Sequence, residues 1–329
     1  MMKTLIALNR PDLENMLFTP EVMERLRQIT DVEWLREYEL LEKVLPGYDA
    51  CITSWGSPRI TKEILEKCER LKFIGHAAGT VVPYVDEVAF EKGILVVNAN
   101  SALAHATAEG AVAMMAAGAY RLREYAEEMA QGLWANNDRE SVPGLTGQTI
   151  GLVGFGEICK EVIRLLAPYH PKILLCSSHC DPEQAKLLGV HLCSLETLLR
   201  ESNIISLHNT LTPRTRNMIG EKEFSLMKSG TLLINTARAP IVNQEALLSA
   251  LESGKIRVIL DVYEEEPLPL DHPLRKQKNA WLLPHIAAYS TYWKSRLALT
   301  VVEDFERFSK EQLVRGKITL DRYRRLTPR

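Results

Sequence analysis

From residue 149 onward, short continuous apolar runs alternate with segments whose apolar residues recur every three or four positions. The runs are TIGLVG, KILLC, NIISLH, TLLINT, RVILDV and AWLLPH, and helices are predicted between them over 157–167, 195–201 and 243–253. Continuous apolar strands joined by helices are typical of a parallel sheet that is covered on both faces. This part of the chain is therefore predicted to be a doubly wound α/β domain.

A glycine-rich turn follows the first of these strands, in the stretch IGLVGFGEICKEV at 150–162. Gly154 would make the tight turn, Gly156 would let the backbone approach a pyrophosphate, and the helix amides from Glu157 onward would face the anion. Cys159 replaces the third glycine of this motif, which serves helix–strand packing rather than phosphate contact. The strand–turn–helix context predicts a dinucleotide site.

The choice between NAD and NADP stays open in the sequence. An acid about 20 residues after the glycine turn normally accepts the ribose hydroxyls of NAD. Here the next strand ends in CSSHCD, where Ser177 stands in the expected place and Asp181 is the next acid. Ser177, Ser178 and His179 could hydrogen-bond either a ribose or a 2′-phosphate, so both cofactors are predicted as alternatives.

The first hundred residues repeat the strand pattern, with TLIAL, YDACITS, LKFIGHAAGT and ILVVNAN as candidate strands. Long helices are predicted over 102–121 and 290–308. We expect 1–100 and 290–329 to form a substrate-binding domain, and 101–289 to form a dinucleotide-binding domain. The predicted fold class is α/β with two doubly wound parallel-sheet domains, a Rossmann nucleotide domain inserted into a flavodoxin-like substrate domain.

The charge balance limits the classes of partner. A chain of 329 residues with 25% charged residues and a net charge of −2 has no basic field for nucleic acid or an anionic membrane, and neither is expected as a partner. No leader with a cleavage site is recognised at the N-terminus, and the most apolar stretch, 111–120, is too short to span a bilayer. A cytoplasmic protein is therefore expected.

The six cysteines include no C-x-x-C pair, which is typical of a reducing compartment. One group of zinc-ligating residue types falls within 18 residues, consisting of Cys176, His179, Cys180, His191 and Cys193. Its spacing matches no common zinc pattern. Because Cys176 and Cys193 each end or follow an apolar run, we expect both to be small buried side chains and predict no metal.

Polar residues follow most of the apolar runs in the second half of the chain. Ligands of open α/β sheets bind outside the carboxyl ends of the strands, so several polar residues on one rim indicate a site. The residues concerned are His208, Asn235, Arg238, Asp261 and His285. Any one of them alone would be read as a solvated strand end.

In these residues and in the order of several longer stretches, the chain resembles the D-isomer-specific 2-hydroxyacid dehydrogenases along nearly its whole length. The matching stretches are LKFIGHAAGT, GILVVNANSALAHATAEG, GLTGQTIGLVGFGEI, ISLHNTLTPRTRNMIG, EFSLMKSGTLLINTARAPIVNQEAL, LDVYEEEPLPLDHPL and LLPHIAAYS. The resemblance implies that Arg238, Glu266 and His285 are the catalytic residues. It also implies transfer of a hydride between NAD(H) or NADP(H) and a small D-2-hydroxy acid or 2-oxo acid, of the glyoxylate, hydroxypyruvate, pyruvate or phosphoglycerate type.

The chemistry explains why these three residue types would act together. Only the planar fork of an arginine can bind oxygens of both the carboxylate and the adjacent carbonyl of a 2-oxo acid, so Arg238 would orient and polarise the substrate. His285 would donate the proton to the carbonyl oxygen, because histidine titrates near neutrality. Glu266, bonded to the other ring nitrogen, would fix the tautomer and stabilise the charged ring.

The resemblance also implies a set of binding residues. The stretch HAAGTVV resembles the carboxylate-binding loop of the family, so the amides of Ala78, Gly79 and Thr80 would bind the substrate carboxylate, together with Arg238. The residues implied for the cofactor are Thr107, Gly154, Phe155, Gly156, Glu157, Ile158, Ser177, Ser178, His208, Thr236, Ala237, Asp261 and His285. The departures from the family pattern are Ala77, Ala78, Cys159, Ser177 and Ala239.

Two other functions fit the same fold. One is a non-catalytic dinucleotide-binding sensor, like the corepressors that share this fold, and the other is oxidation of formate or phosphite. The formate enzymes that resemble this family pair the histidine with glutamine, whereas this chain has Glu266. The family is usually dimeric, and the apolar stretch AEGAVAMMAAGAY would supply the interface of a homodimer or, alternatively, a buried core helix.

Overall fold

The computed structural model describes residues 2–36, 39–134 and 142–325. The chain divides into two compact units, Met1–Ala104 with Tyr289–Arg329, and His105–Ala288. We call them the five-stranded unit and the seven-stranded unit after their sheets. Across the described ranges, no helix is both long enough and apolar enough to cross a membrane.

The five-stranded unit is built on a parallel sheet. Its strands are β1 (Met2–Ile6), β2 (Thr30–Trp34), β3 (Ala50–Thr53), β4 (Phe73–His76) and β5 (Leu95–Asn98), in the order β2-β1-β3-β4-β5. The helices of its N-terminal segment are α1 (Pro11–Leu17), α2 (Pro20–Ile29), α3 (Leu41–Val44), α4 (Lys62–Lys67) and α5 (Val88–Glu91). This strand order is the flavodoxin-like one.

The seven-stranded unit has a larger parallel sheet in the order β12-β11-β10-β9-β6-β7-β8. Its strands are β6 (Thr149–Val153), β7 (Lys172–Cys176), β8 (His191–Leu192), β9 (Ile204–Leu207), β10 (Thr231–Asn235), β11 (Ile256–Leu260) and β12 (Ala280–Leu282). The order reverses between β6 and β9, which is the switch point of a Rossmann sheet and the usual place for a dinucleotide.

Helices pack against both faces of this sheet. The helices of the unit are α7 (Leu122–Ala130), α8 (Glu157–Leu166), α9 (Pro182–Leu188), α10 (Leu195–Glu201), α11 (Glu221–Leu226) and α12 (Gln244–Glu252), while α6 (Asn100–Ala119) begins in the five-stranded unit. The five-stranded unit also has α13 (Thr291–Ser309) and α14 (Leu320–Arg325). The predicted fold class is confirmed: both sheets are parallel and both are of the α/β type.

Continuous apolar strands produce this arrangement because both faces of each strand are buried. All four residues of β9 and all five of β10 are buried. Neighbouring residues contribute to opposite faces: Leu174 belongs to one core cluster and Leu175 to the other. Strong burial on both faces fixes the register, since a shift by one residue would exchange the two faces.

Two strands, β2 and β8, were not predicted from the sequence, and neither were the helices α1 to α5, α7, α9, α11 and α14. The residues of β2 alternate between buried or half-buried and exposed positions, in the sequence TDVEW. An edge strand of this kind needs few apolar side chains, so it shows no continuous apolar run. β8 has two residues, too few for any periodic pattern.

Candidate active site

The glycine turn after β6 requires a glycine at position 154. Gly154 has a φ of +100°, and a Cβ atom there would lie 2.8 Å from the carbonyl carbon of His208. Its N–H donates to the carbonyl oxygen of Cys176 at 2.9 Å, which ties the turn to the end of β7. A side chain at this position would therefore meet backbone as well as a disfavoured conformation.

Gly156 differs from Gly154, because the protein itself leaves room for a side chain there. It is the N-cap of α8 and makes no side-chain cap, so the first amides of that helix are left for another acceptor. A Cβ atom at Gly156 would meet nothing within 4 Å, so the space in front of the helix is open. Phe155, Glu157 and Ile158 complete the turn and the first helical positions. The opening suits a pyrophosphate bound by backbone amides.

Cys159 occupies the position of the missing third glycine and is completely buried. Its side chain belongs to the core cluster that includes Ile150 and Leu175, between α8 and the sheet. Burial raises the pKa of this thiol to about 12. Cys159 is therefore a neutral packing residue, and its substitution for glycine leaves the amides at the start of the helix unchanged.

At the end of β7, hydroxyl groups take the place of the usual acid. The hydroxyl of Ser177 accepts the N–H of His179 at 3.0 Å, and the hydroxyl of Ser178 lies 3.3 Å from Nδ1 of His179. Asp181 is the N-cap of α9: its carboxylate accepts the N–H of Gln184 at 2.8 Å in a capping box. The Asp181 carboxylate is thus used to cap α9, and no other acid follows within the turn after β7.

Three polar atoms just after β9 and β10 are buried and lack a partner in the described part of the chain. They are Nε2 of His208, Oδ1 of Asn209 and the hydroxyl of Thr236. Burial lowers the pKa of His208 to about 4, so its ring is neutral at pH 7. Buried polar atoms without partners are uncommon and indicate a ligand or water position. With the open space at Gly156, they fit a dinucleotide laid across the switch point.

Arg238 follows β10 on a short turn that Asn235 holds in place. The Asn235 side chain donates to the carbonyl oxygen of Arg238 at 3.0 Å and accepts the N–H of Ala237 at 3.0 Å. The guanidinium of Arg238 donates to the carbonyl oxygen of Ala237 at 2.7 Å and remains half-buried. This clamp sets the direction of the guanidinium fork. Asn235 was noted in the sequence only as a polar strand end, although its buried position makes it a positioning residue.

His285 and Glu266 form the pair that the family resemblance implies. Nδ1 of His285 lies 2.7 Å from Oε2 of Glu266, and Oε1 of the same carboxylate accepts the N–H of Tyr263 at 3.0 Å. Because a carboxylate can only accept, Nδ1 carries the hydrogen and Nε2 is left for proton transfer. The His285 side chain is 33% exposed and that of Glu266 is 37% exposed, so a substrate can reach the pair.

Asp261 holds the backbone that carries the histidine. Its carboxylate is buried, and its two oxygens accept the N–H groups of Ile286 and Ala287, each at 2.7 Å. Burial raises the pKa of Asp261, and the two amides oppose this shift. His285 itself has a φ of +55°, in the left-handed region that non-glycine residues adopt at a cost. The carboxylate of Asp261 stabilises this turn. The sequence implied only a cofactor contact for Asp261.

Arg238, Asp261, Glu266 and His285 therefore follow three neighbouring strands. Arg238 comes after β10, the two acids come after β11, and His285 comes after β12. Because the strands are parallel, their carboxyl ends lie on one edge of the sheet. The parallel order thus brings together residues that are far apart in sequence.

The predicted carboxylate-binding loop lies in the five-stranded unit, after β4. The amide of Ala78 cannot serve as predicted, because it already donates to the carbonyl oxygen of His76 at 2.7 Å and the residue is completely buried. Gly79 and Thr80 are half-buried, and within the described ranges their amides donate no hydrogen bond. The hydroxyl of Thr80 is buried and also lacks a partner there. The set of available donors is thus the two amides and this hydroxyl.

Thr107 lies on α6, in the part of that helix that belongs to the seven-stranded unit, and is half-buried. The cysteines and histidines weighed as zinc ligands lie around β7 and β8. Among the residues that the structure describes, no group of three or more histidine, cysteine, aspartate or glutamate side chains could hold a metal ion.

Comparison with known proteins adds a family to this geometry. Residues 112–287 match the family described as D-isomer specific 2-hydroxyacid dehydrogenase, NAD binding domain. A glyoxylate reductase from Thermococcus litoralis is 36% identical over 289 residues, which cover 86% of this chain and 86% of that protein. The crystal structure of a protein from Thermus thermophilus has a TM-score of 0.76 and 31% identity, over 97% of this chain and 100% of that one.

A D-3-phosphoglycerate dehydrogenase from Methanocaldococcus jannaschii is 32% identical over 305 residues. The alignment covers 91% of this chain but only 57% of that protein, so the chain spans little more than half the length of this relative. A second D-3-phosphoglycerate dehydrogenase, from Archaeoglobus fulgidus, is covered over 53% of its length. The similarity therefore includes both units described above and leaves the remainder of those two proteins without a counterpart here.

Proposed function

Because the chain belongs to the D-isomer-specific 2-hydroxyacid dehydrogenase family, we propose that it transfers a hydride between a nicotinamide cofactor and a small 2-oxo or D-2-hydroxy acid. The substrates proposed are of the glyoxylate, hydroxypyruvate, pyruvate or phosphoglycerate type. The observation that carries the proposal is the hydrogen bond of 2.7 Å between Glu266 and His285, on a turn held by Asp261. The presence of Arg238, Glu266 and His285 together favours an enzyme over a sensor, although a corepressor of this fold can retain the same three residues.

The prediction of a nicotinamide dinucleotide cofactor is confirmed by the match to the NAD-binding domain. The residues proposed to hold it are the turn at 154–158, the hydroxyls of Ser177 and Ser178, and the polar groups of His208 and Thr236. Thr107, Ala237 and Asp261 are proposed to lie near the nicotinamide. When bound, the cofactor supplies or accepts the hydride.

Arg238 is proposed to bind and orient the 2-oxo acid. Its fork can donate to one carboxylate oxygen and to the carbonyl oxygen together, which withdraws electrons from the carbon that receives the hydride. The amides of Gly79 and Thr80 are proposed to donate hydrogen bonds to the substrate carboxylate, because they are two adjacent donors without an acceptor in the described chain. The substrate is thereby bound through its carboxylate and its carbonyl.

His285 is proposed to be the acid in reduction and the base in oxidation. In reduction, Nε2 donates its proton to the carbonyl oxygen as charge develops there. Glu266 keeps the hydrogen on Nδ1, which leaves Nε2 as the atom that exchanges the proton with the substrate. In the opposite direction Nε2 accepts the hydroxyl proton.

One assay tests this assignment. Oxidation of NADH and of NADPH is measured with a panel of 2-oxo acids for the wild type, Arg238→Ala and His285→Ala, and each variant is expected to lose turnover by about 10³-fold or more. Arg200→Ala and His191→Ala are matched controls, because both residues are exposed in the same unit and outside the proposed site. Undiminished turnover in either site variant would remove that residue from the mechanism.

The same assay addresses the sensor alternative. A sensor would bind dinucleotide, seen as a change in cofactor fluorescence, without consuming it in the presence of any 2-oxo acid. The enzyme binds and consumes it. Binding without turnover across the whole panel would therefore favour the sensor and contradict the proposed function.

A homodimer is proposed, with the contact on α7 rather than on α6. The apolar residues of α6 that suggested an interface are core residues of the chain itself, among them Ala111, Met115 and Ala119. In contrast, α7 has no buried residue. Large apolar side chains at and beside it are more than half exposed, namely Tyr120, Leu122, Met129, Leu133 and Trp134. Exposed large apolar side chains concentrated in one segment are typical of an interaction surface, and a second copy is proposed to cover them.

The mass in solution tests the dimer. Light scattering after gel filtration is expected to give twice the chain mass for the wild type. The double variant Leu122→Lys with Met129→Lys is expected to give the monomer, because charge on α7 opposes burial. Leu187→Lys, on α9 and 86% exposed, is the control that should stay dimeric. A monomeric wild type would end the proposal.

The cytoplasmic location remains a prediction and is part of the proposal. It is supported by the cysteines, because all six are free in the structure. A small carboxylic acid is the only partner proposed besides the cofactor and a second copy. No nucleic acid or membrane is proposed, because a net charge of −2 offers no attraction to either.

A further inference from the structure

Cys176 and Cys193 face each other across the strand pair at the edge of the larger sheet. The parallel register of β7 and β8 pairs Leu174 with His191 and Leu175 with Leu192. The N–H of Cys193 donates to the carbonyl oxygen of Leu175 at 3.0 Å, which continues the same ladder by one step. Cys193 is therefore directly opposite Cys176.

The two side chains also point to the same face of the sheet. Both pack against the core cluster that contains Leu174, whereas Leu175 and Leu192 pack against the cluster on the other face. Neighbouring strands lie about 4.7–4.9 Å apart, and the Cα atoms of disulfides lie about 4.4–6.8 Å apart. A disulfide between these positions needs only a small adjustment of the backbone.

The pair differs from the other cysteines in exposure. Cys176 and Cys193 are both half-buried, whereas the other four cysteines are buried, namely Cys51, Cys68, Cys159 and Cys180. β8 is a two-residue edge strand, so Cys193 has a neighbouring strand on one side only. A small oxidant can reach these sulfur atoms, and the edge can move to let them join.

We propose that Cys176 and Cys193 are a reversible redox site, which forms a disulfide on exposure to a hydroperoxide and thereby weakens cofactor binding. In the first step one thiol loses its proton and takes an oxygen from the hydroperoxide, giving a sulfenic acid and releasing water or an alcohol. The second thiol then attacks this sulfur, a disulfide forms and water leaves. Two electrons pass from the thiols to one hydroperoxide.

The surroundings of the thiols predict a slow response. Burial raises the pKa of both Cys176 and Cys193, and the neighbouring sulfur of Cys176 adds to the shift at Cys193. Because the thiolate is the reactive form, a raised pKa slows attack on the hydroperoxide. The site is therefore suited to sustained oxidation and to reversal by a dithiol.

The position of Cys176 explains the effect on the cofactor, an effect that rests on the proposed function. Its carbonyl oxygen accepts the N–H of Gly154 at 2.9 Å, and Ser177 and Ser178 follow it directly. A bond that pulls Cys176 toward β8 would thus shift both the pyrophosphate turn and the ribose end. His285 and Glu266 follow β12 and β11 at the opposite edge of the sheet. We expect KM for the cofactor to rise while kcat changes little.

The test treats the full chain with hydrogen peroxide and compares it with the reduced protein. Peptide mapping is expected to show a 176–193 linkage, KM for the cofactor is expected to rise roughly three- to tenfold, and dithiothreitol should reverse both. Cys193→Ser and Cys193→Ala are expected to keep the reduced KM after treatment. Cys180→Ala, which removes another thiol of the same unit, should remain sensitive.

Each outcome has a separate meaning. If mapping finds no 176–193 linkage under peroxide, the redox site is wrong. If the linkage forms and KM is unchanged, the proposed effect on the cofactor is wrong. If the reduced wild type turns over no 2-oxo acid, the proposed function fails instead, and the linkage together with cofactor fluorescence titration still decides the redox proposal.

Discussion

The two units share a parallel α/β construction but place different chemistry at the ends of their strands. In the five-stranded unit, His76 ends β4 and its Nδ1 shares a hydrogen bond of 2.9 Å with the hydroxyl of Thr53. In the seven-stranded unit, His208 follows β9, and its buried Nε2 has no partner among the residues described. Nδ1 of His76 is thus used by the fold, whereas Nε2 of His208 is a polar group that the described part of the protein leaves for a ligand.

The same contrast extends to the groups proposed to bind ligands. The five-stranded unit offers backbone amides at Gly79 and Thr80, and the seven-stranded unit offers side chains of Arg238 and His285 held by buried polar neighbours. Backbone donors survive most substitutions, while an oriented side chain does not. Substitutions at the ends of the larger sheet are therefore expected to reduce activity more than those in the smaller one.

The largest effect is expected for Arg238→Lys. The charge is kept, but an ammonium cannot bind two oxygens in one plane, so kcat/KM should fall roughly 10²- to 10³-fold, or about 3–4 kcal/mol. Arg216→Lys, in the same unit and outside the site, is the control. Steady-state kinetics with the best 2-oxo acid measure both. If Arg238→Lys keeps near-normal kcat/KM, a positive charge at this position is sufficient and the planar guanidinium is not required.

The second effect concerns stability and pH. The folded pKa of His208, about 4, lies below its ordinary value of 6.5, so between these values the unfolded chain binds a proton that the folded chain does not. The contribution of the neutral His208 ring to the free energy of unfolding is therefore fully present above pH 6.5 and is lost as the pH falls toward 4. At about pH 5 the loss should be about 2 kcal/mol.

His208→Gln removes this titration. In urea unfolding, the wild type should lose more stability than the variant as the pH falls from neutrality to about pH 5. The variant should also bind cofactor less well, because the ring is proposed to contact it. A stability difference independent of pH would show that the His208 ring is not kept neutral by the fold.

The scaffold of both units was predictable from the sequence, whereas much of the site was not. Buried strands such as β10 appear in the sequence as continuous apolar runs, and such runs directly indicate a strand of a covered parallel sheet. The pairing of Glu266 with His285 came from family resemblance, since 19 residues separate them and no local pattern joins them. The role of Asp181 as the N-cap of α9 could have been predicted, because an aspartate three residues before a glutamine is a capping-box pattern.

Other details depend on local geometry that a sequence does not encode in a simple pattern. The amide of Ala78 is used by a tight turn back to His76, so one of three predicted donors is already occupied. The role of Asp261 depends on two amides more than 20 residues away. Contacts of this kind follow from tertiary packing, and periodicity alone could not predict them.

A smaller effect is expected at the ribose end of the larger sheet. Ser177→Asp places a carboxylate where it would accept hydrogen bonds from the ribose hydroxyls of NADH and where a 2′-phosphate would be repelled. The ratio of kcat/KM for NADH to that for NADPH should rise about tenfold, or about 1.4 kcal/mol. Ser194→Asp, an N-cap on α10, is the control that should leave the ratio unchanged. A constant ratio in Ser177→Asp would place the ribose elsewhere.

The smallest effect is expected in the five-stranded unit, at Thr80→Val. Two amides would still bind the substrate carboxylate, so KM for the 2-oxo acid should rise only about threefold, with kcat unchanged. Because the buried hydroxyl lacks a partner in the described chain, its removal should leave stability unchanged or raise it by about 0.5–1 kcal/mol. Thr53→Val is the matched control with the opposite signature: it breaks the bond to His76, so stability should fall by about 1 kcal/mol while KM stays the same. If Thr80→Val instead loses stability without a change in KM, that hydroxyl belongs to the fold, and the contrast between the two sheets would disappear at this position.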